Sequence, residues 1–242
     1  RRLVAAGIES HLMDATSLLV DRRARRVKTD AIDVEALLRA LIAYCRGDKS
    51  VCKMVCVPNL EEEDSKRTHR ERRRLVKERT GHINRVKALL ALHGIDDYQP
   101  IKADRRRRLS ELVTADGQPL PPRLLREISR EIDRLELVLD HLAELEAERN
   151  AVSHDAASTD RTAETIRRLM QFRGIGPETA TILARELFYR DFVNRRAVAG
   201  YAGLTPSPYM SGASRRDQGI SKAGNPLVRT AMIELAWLWL RH

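Results

Sequence analysis

The sequence predicts a mainly α protein, and two observations carry that prediction. Aromatic residues make up only 4% of the 242 positions and charged residues 32%, a balance that suits long, surface-rich helices better than a β-sandwich. Apolar residues also recur at helical spacing. The plainest run is Leu125, Ile128, Ile132, Leu135, Leu139 and Leu142, which forms a heptad seam. A hydrophobic content of 43% is ordinary, and the length allows one or two domains with a real core.

Taken in order, the chain opens with a short apolar helix tail, followed by His11-Leu-Met-Asp, which suits a strand end. The basic segment 21–29 reads as a loop. From Asp30 to about Arg46 a helix is expected, with Ile32, Ala36, Leu37, Ala40 and Leu41 on one face. Val51–Val57 is apolar and β-branched, as a strand or an extended link would be. Glu61 to His93 reads as one long helix. Its first turns carry Glu61, Glu62, Glu63 and Asp64, where the helix dipole favours negative charge. Gly94 suits its C-terminal cap. After a Gly/Pro-punctuated insert, the heptad seam marks a second long helix. The pair is either a helical hairpin or an oligomeric coiled coil, and a plain bundle helix would show the same seam. The expected boundaries are 1–58, a long-helix region 59–150, a polar linker 151–162 and a C-terminal domain 163–242.

Charge narrows the function. The chain carries 44 Lys/Arg against 34 Asp/Glu, a net +10. From Lys66 to Arg108, 15 basic residues face 5 acidic ones, so this stretch alone matches the excess of the whole chain. Such a balance points to a polyanionic partner. Arg72, Arg73 and Lys77 on the long helix, with Arg25, Arg26 and Lys28 upstream, are candidate contacts to nucleic-acid backbone. No apolar run reaches the roughly 18–20 residues of a membrane span. The Arg-rich helix has too few bulky apolar residues opposite its charges for interfacial burial. No membrane partner is expected. Cys45, Cys52 and Cys56 are odd in number and lack secretory context, which favours a reducing, cytoplasmic setting. Cys52 and Cys56 read as small buried hydrophobes rather than metal ligands, because no second ligand pair follows at zinc spacing.

Three motifs could carry chemistry. Gly174-Ile-Gly176-Pro-Glu-Thr-Ala, set between two apolar helices, is the pattern of a helix-hairpin-helix element. Its turn exposes backbone N–H groups that suit a phosphate, although a plain tight turn would look the same. Asp30 and Asp33 lie three apart at a helix start, so their carboxylates share a face. Such a pair can hold Mg²⁺, or simply cap the helix. The segment Gly203–Arg229 packs four glycines, three prolines and four basic residues into 27 positions, which reads as a loop. Ser211, followed by Gly212, has room for in-line attack on phosphorus. Arg215, Arg216, Lys222 and Arg229 can offset charge in the transition state. A DNA-binding loop without covalent chemistry has the same composition.

The ordered set of motifs resembles a known family. Arg-Arg-Val-Lys-Thr-Asp30-Ala-Ile-Asp33 resembles the last acidic motif of the DEDD-type insertion-sequence transposases, the IS-one-ten group related to the Piv and MooV recombinases. Gly-Ile-Gly-Pro-Glu-Thr-Ala, Tyr201-Ala-Gly-Leu-Thr-Pro, and Ser211-Gly followed by Gly219-Ile-Ser-Lys-Ala-Gly-Asn are similar to that family's C-terminal domain.

The resemblance implies a RuvC-like (RNase H-like) α/β domain, of which 1–58 would be the C-terminal part, with four acidic residues for Mg²⁺. It further implies a coiled coil and a C-terminal domain with a nucleophilic serine that links covalently to DNA. Asp30 and Asp33 match the third and fourth acids, and Ser211 the nucleophile. The first two acids would lie upstream of Arg1, so the chain is expected to be an inactive fragment. Met210 and Ser214 depart from the common pattern, which keeps Ser207 and Ser214 as fallback nucleophiles. DNA, a structured guide RNA and further copies of the chain, as dimer or tetramer through the coiled coil, are the implied partners. The implied location is the cytoplasm, at the nucleoid. A non-enzymatic nucleic-acid-binding protein with a coiled coil and a helix-hairpin-helix is the competing expectation.

Overall fold

The structure is a computed structural model that describes residues 2–14, 17–18, 30–55, 57–154, 160–211 and 214–241. The chain divides into two compact units, Arg1–Glu61 and Glu62–His242.

The first unit holds α1 (Arg2–Ala5) and α2 (Asp30–Cys45). Two extended segments meet in an isolated antiparallel bridge, Met13 to Met54. Hydrogen bonds from Asp14 N to Lys53 O (2.8 Å) and from Val55 N to Leu12 O (2.7 Å) flank it. The two segments expected to be extended therefore pair, through a single isolated bridge among the described residues. Cys52 is buried and Cys45 exposed. Cys56 lies outside the described residues. The helix expected from Asp30 forms, yet none of its residues is buried. Ile32, Leu37, Leu38 and Ile42 are exposed, while Ala40 and Leu41 are half-buried.

Helix α3 (Leu60–Ser65) runs across the unit boundary, and α4 (Arg67–Ala91) follows in the second unit. The single helix expected over Glu61–His93 is thus broken at Lys66. No proline or glycine forces this; tertiary contacts do. The Ser65 carbonyl accepts from Arg185 Nη1 at 2.7 Å. The buried Lys66 places its ammonium 3.5 Å from the centre of the Tyr189 ring. Gly94, at φ +74°, ends α4 as expected.

After α5 (Arg105–Ser110), α6 runs from Pro122 to His154. It packs antiparallel to α4. Val86 and Leu90 meet Ile128 and Ile132, while Leu75 meets Val138 and Leu142. Ile128, Ile132 and Leu135 are fully buried. The seam is therefore covered by α4 of the same chain, as an intramolecular hairpin. Polar rungs follow the same register: His82 to Glu131 at 2.7 Å, Arg85 to Glu127 at 3.4 Å and Arg72 to Glu146 at 2.7 Å. The insert folds back on the hairpin, with Tyr98 buried and its hydroxyl donating to Arg105 O at 2.8 Å. Arg106 reaches Asp133 at 2.6 Å. α6 continues beyond residue 150, where a linker was expected, because Val152 packs against the next core.

That core is built by α7 (Arg161–Met170), α8 (Pro177–Glu186), α9 (Arg195–Ala202) and α10 (Pro226–Arg241). Asp160 caps α7 by accepting from Thr162 N and Ala163 N. Ile166, Leu183, Leu187, Val228 and Leu235 fill the centre. Between α9 and α10 stands a two-stranded antiparallel ribbon, β1 (Pro206–Ser211) and β2 (Ser214–Ile220). A loop was expected here. Pro206 and Pro208 fit because both strands are edges and the register shifts between them.

The fully buried Ile132 sets the expected cost of disturbing the hairpin. Ile132→Ala should lower the unfolding free energy by about 2–5 kcal/mol. A urea melt should show this as a lower midpoint with an unchanged m-value.

Candidate functional site

Ser211 sits at the far end of β1, exposed, and pairs in register with Ser214. Tyr209 pairs with Arg216 and Met210 with Arg215. Side chains alternate along a strand, so residues two apart share a face, about 7 Å from each other. Ser211, Tyr209 and Arg216 therefore project from one side of the ribbon. Arg216 is exposed. Ser207 is half-buried near the ribbon's root, while the side chains of Ser214 and Arg215 lie outside the described residues.

The root of the ribbon is tied down. Ser221 N donates to Thr205 O (2.9 Å) and Lys222 N to Gly203 O (3.1 Å). Lys222 adopts a left-handed φ of +56°, rare for a residue with a Cβ. Arg229 Nη1 donates to the Lys222 carbonyl at 2.8 Å and approaches that of Ala202 at 3.4 Å. Of the four basic residues predicted around the serine, Arg229 thus holds the base of the ribbon. The Lys222 side chain is exposed. A Cβ on Gly224 would stand 2.3 Å from Tyr201 O, so the backbone approach between the two ribbon roots needs glycine there.

Below the ribbon lies a buried polar cluster that reasoning from sequence missed. Glu186, only 1% exposed, accepts from His69 Nε2 (2.8 Å), Arg70 Nε (2.6 Å) and Arg70 Nη2 (2.9 Å). It also accepts from Asn225 Nδ2 at 3.0 Å. Burial alone would raise the Glu186 carboxyl, but the hydrogen bonds from His69 and Arg70 outweigh it and hold the group at about 2. Asn225 in turn caps α10, its Oδ1 accepting from Leu227 N at 2.9 Å. Burial pushes the nearby Tyr189 phenol up to about 12, so it stays neutral beneath Lys66. The only sequence signal was an acid at the end of an apolar helix, which burial alone makes significant.

The predicted Gly-x-Gly turn joins α7 to α8. Gly176 precedes α8, with Pro177 as the first helical residue. A Cβ added at Gly176 would meet nothing within 4 Å, so that side of the turn is open. Gly174, at φ +84°, is different: a Cβ there would stand 1.8 Å from Leu238 Cδ2. Trp239 Nε1 donates to Arg173 O at 2.7 Å. The end of α10 therefore packs on the Gly174 side.

The predicted basic contacts divide. Arg72 bridges Glu146 (2.7 Å) and Glu178 (3.1 Å) inside the unit. Arg73 and Lys77 are exposed and make no ion pair among the described residues. Arg25, Arg26 and Lys28 lie outside the described residues.

Asp30 and Asp33 occupy the first turn of α2, both exposed. They belong to the first unit and Ser211 to the second. Two such carboxylates are the hard-oxygen donors Mg²⁺ takes, with water and phosphate completing the shell. Among the described residues, no cluster of three or more potential metal ligands forms.

The second unit thus combines a basic helical hairpin, a helical core and an exposed ribbon that carries Ser211. Residues 166–242 match the family model described as Transposase IS116/IS110/IS902 family. Over 249 residues the chain is 50% identical to the Sinorhizobium fredii protein y4rJ, named as a transposase, across 100% of this chain and 62% of that protein. It is 32% identical to a Pseudomonas aeruginosa protein named as a family 20 transposase, across 85% of this chain and 57% of that one. It is 28% identical to the Yersinia enterocolitica transposase for insertion sequence element IS1328, across 89% and 60%. The chain thus spans somewhat over half the length of the curated relatives it matches. No helix among the described residues is long and apolar enough to cross a membrane.

The Glu186 cluster predicts a pH dependence. Its carboxyl is depressed from 4.5 to about 2. Its stabilisation is therefore fully present above pH 4.5 and lost as the pH falls toward 2. Melts across that range should show wild type losing stability on acidification. Glu186→Gln should be less stable at neutral pH, by about 3 kcal/mol, and should lack this part of the acid-dependent loss.

Proposed function

We propose that the chain is a large segment of a DNA transposase whose nucleophile is Ser211. One observation carries this reading: Ser211 stands exposed at the tip of a rooted ribbon, with Arg216 on the same face, in a segment that matches a transposase family model. Ser211 Oγ attacks a DNA phosphorus and loses its proton. The new P–O bond replaces one bond of the phosphodiester, and the departing DNA oxygen leaves as a hydroxyl. Arg216 holds the attacked phosphate and offsets the charge that grows on it. Asp30 and Asp33 would hold Mg²⁺, which supplies charge neutralisation at phosphate. Two further acids of the parent protein, in a RuvC-like domain, would complete that site.

The α7–turn–α8 pair acts as the helix-hairpin-helix of this reading, with its open Gly176 side toward DNA backbone. A structured guide RNA and further copies of the chain are the remaining partners, and the cytoplasm is where they meet. Because α4 of the same chain covers the heptad seam, association of copies uses other surfaces of the hairpin.

In the protein restored to the full length of its relatives, DNA with a labelled phosphate should form an adduct that survives denaturation. Ser211→Ala should abolish it, and Arg216→Ala should slow it by about 10²-fold. An undiminished adduct with Ser211→Ala sinks the assignment.

Arg73 and Lys77 on α4, exposed and without an ion pair among the described residues, favour a second reading, nucleic-acid binding without strand chemistry. Each phosphate contact contributes about 0.9 to the salt slope of duplex binding. Removing both side chains should therefore flatten that slope by roughly 2, as measured by anisotropy over a salt series. An unchanged slope places the duplex elsewhere.

A further inference from the structure

Phenylalanine is scarce in this chain. There are three, Phe172, Phe188 and Phe192, and all three line one cleft of about 650 Å³ between α7, the end of α8 and α9. Phe192 is fixed in place. Its ring lies 5.6 Å from that of Tyr201, and the Arg190 guanidinium covers both. The other two rings face solvent, Phe172 at 59% exposure and Phe188 at 39%. Two exposed phenyl rings in one concave site are costly in water unless something covers them.

The charges around them indicate what does. Four arginines line the cleft against Glu164 and Asp191, four positive less two negative, a net +2. Arg161 pairs with Asp191 at 2.8 Å and Arg168 with Glu164, both on exposed side chains. Exposed pairs of this kind contribute little, so their guanidinium groups can exchange onto phosphate. Arg195 makes no ion pair among the described residues. Phenyl faces flanked by arginines are the chemistry that takes unstacked bases and the phosphates between them. A duplex hides its base faces and cannot use the rings.

We propose that this cleft binds unpaired nucleotides of single-stranded DNA, with bases stacked on Phe172 and Phe188 and phosphates on Arg168 and Arg195. The choice of DNA rather than RNA follows from the DNA-handling reading above, not from the neutral polar side chains of the cleft. Thr165 Oγ1 already donates to Arg161 O at 2.8 Å, and Asn194 Oδ1 accepts from Ala197 N at 3.0 Å. The inference rests on the DNA-handling reading above, since strand exchange by a transposase would expose unpaired strands, and it gives that reading a second contact site remote from Ser211 in sequence.

Anisotropy with labelled oligo(dT), a DNA duplex and oligo(U) tests it on the full-length protein. Phe172→Ala combined with Phe188→Ala should weaken oligo(dT) binding about tenfold or more. Duplex affinity should not change, and a thermal melt checks that the double variant, which loses the buried part of both rings, is still folded at the assay temperature. Photo-cross-linking of 5-iododeoxyuridine oligonucleotides should map to the peptides carrying Phe172 or Phe188. Unchanged oligo(dT) affinity in the double variant, cross-links elsewhere, or preference for oligo(U) overturns the cleft assignment while duplex binding persists. Loss of duplex binding by the wild-type protein would instead strike the transposase reading itself, and the cleft assignment with it.

Discussion

The second unit depends on one buried carboxylate. Glu186 ends α8 inside the protein, where an uncompensated charge is untenable. His69 and Arg70 from α4 and Asn225 from the start of α10 supply the compensation. Each partner is fixed by satisfying it. His69 and Arg70 bind the hairpin to the C-terminal core. Asn225 simultaneously caps α10 and receives the turn after α9, its N–H donating to Tyr201 O at 2.8 Å. The ribbon lies between those two points. A rigid root with an exposed tip follows from this network, and the proposed role of Ser211 would call for that geometry.

The same logic explains why the hairpin is basic without being uniformly available to a ligand. Several arginines of α4 already serve structure: Arg70 holds Glu186, Arg72 bridges Glu146 and Glu178, and Arg85 reaches Glu127. They fix the register that the apolar seam establishes. The remaining outward cations, such as Arg73 and Lys77, are those that can leave their waters for phosphate. Composition reports the total charge; packing decides which part of it faces outward.

Much of the fold was legible in the sequence. The two long helices, the helix from Asp30, the Gly94 stop and the turn at Gly174–Gly176 all rest on local periodicity and capping, which the chain carries residue by residue. Less legible were the break at Lys66 and the ribbon around Ser211. The first arises from Arg185, 120 positions away from Ser65 in the chain. The second arises because Pro206 and Pro208, which read as loop residues, are tolerated on edge strands.

For the candidate site, the sequence by itself determined the identity of the chemical groups: the serine, the acid pair, the basic segment and their order, because motifs are local. Only the tertiary structure decided which of them are presented. It put Ser211 and Arg216 on one face, assigned Arg229 to the ribbon's root and Arg72 to the hairpin, and gathered the three phenylalanines into one cleft. Those decisions come from contacts between residues distant along the chain. Their energies depend on burial and on compensation of buried charge, which no local pattern encodes.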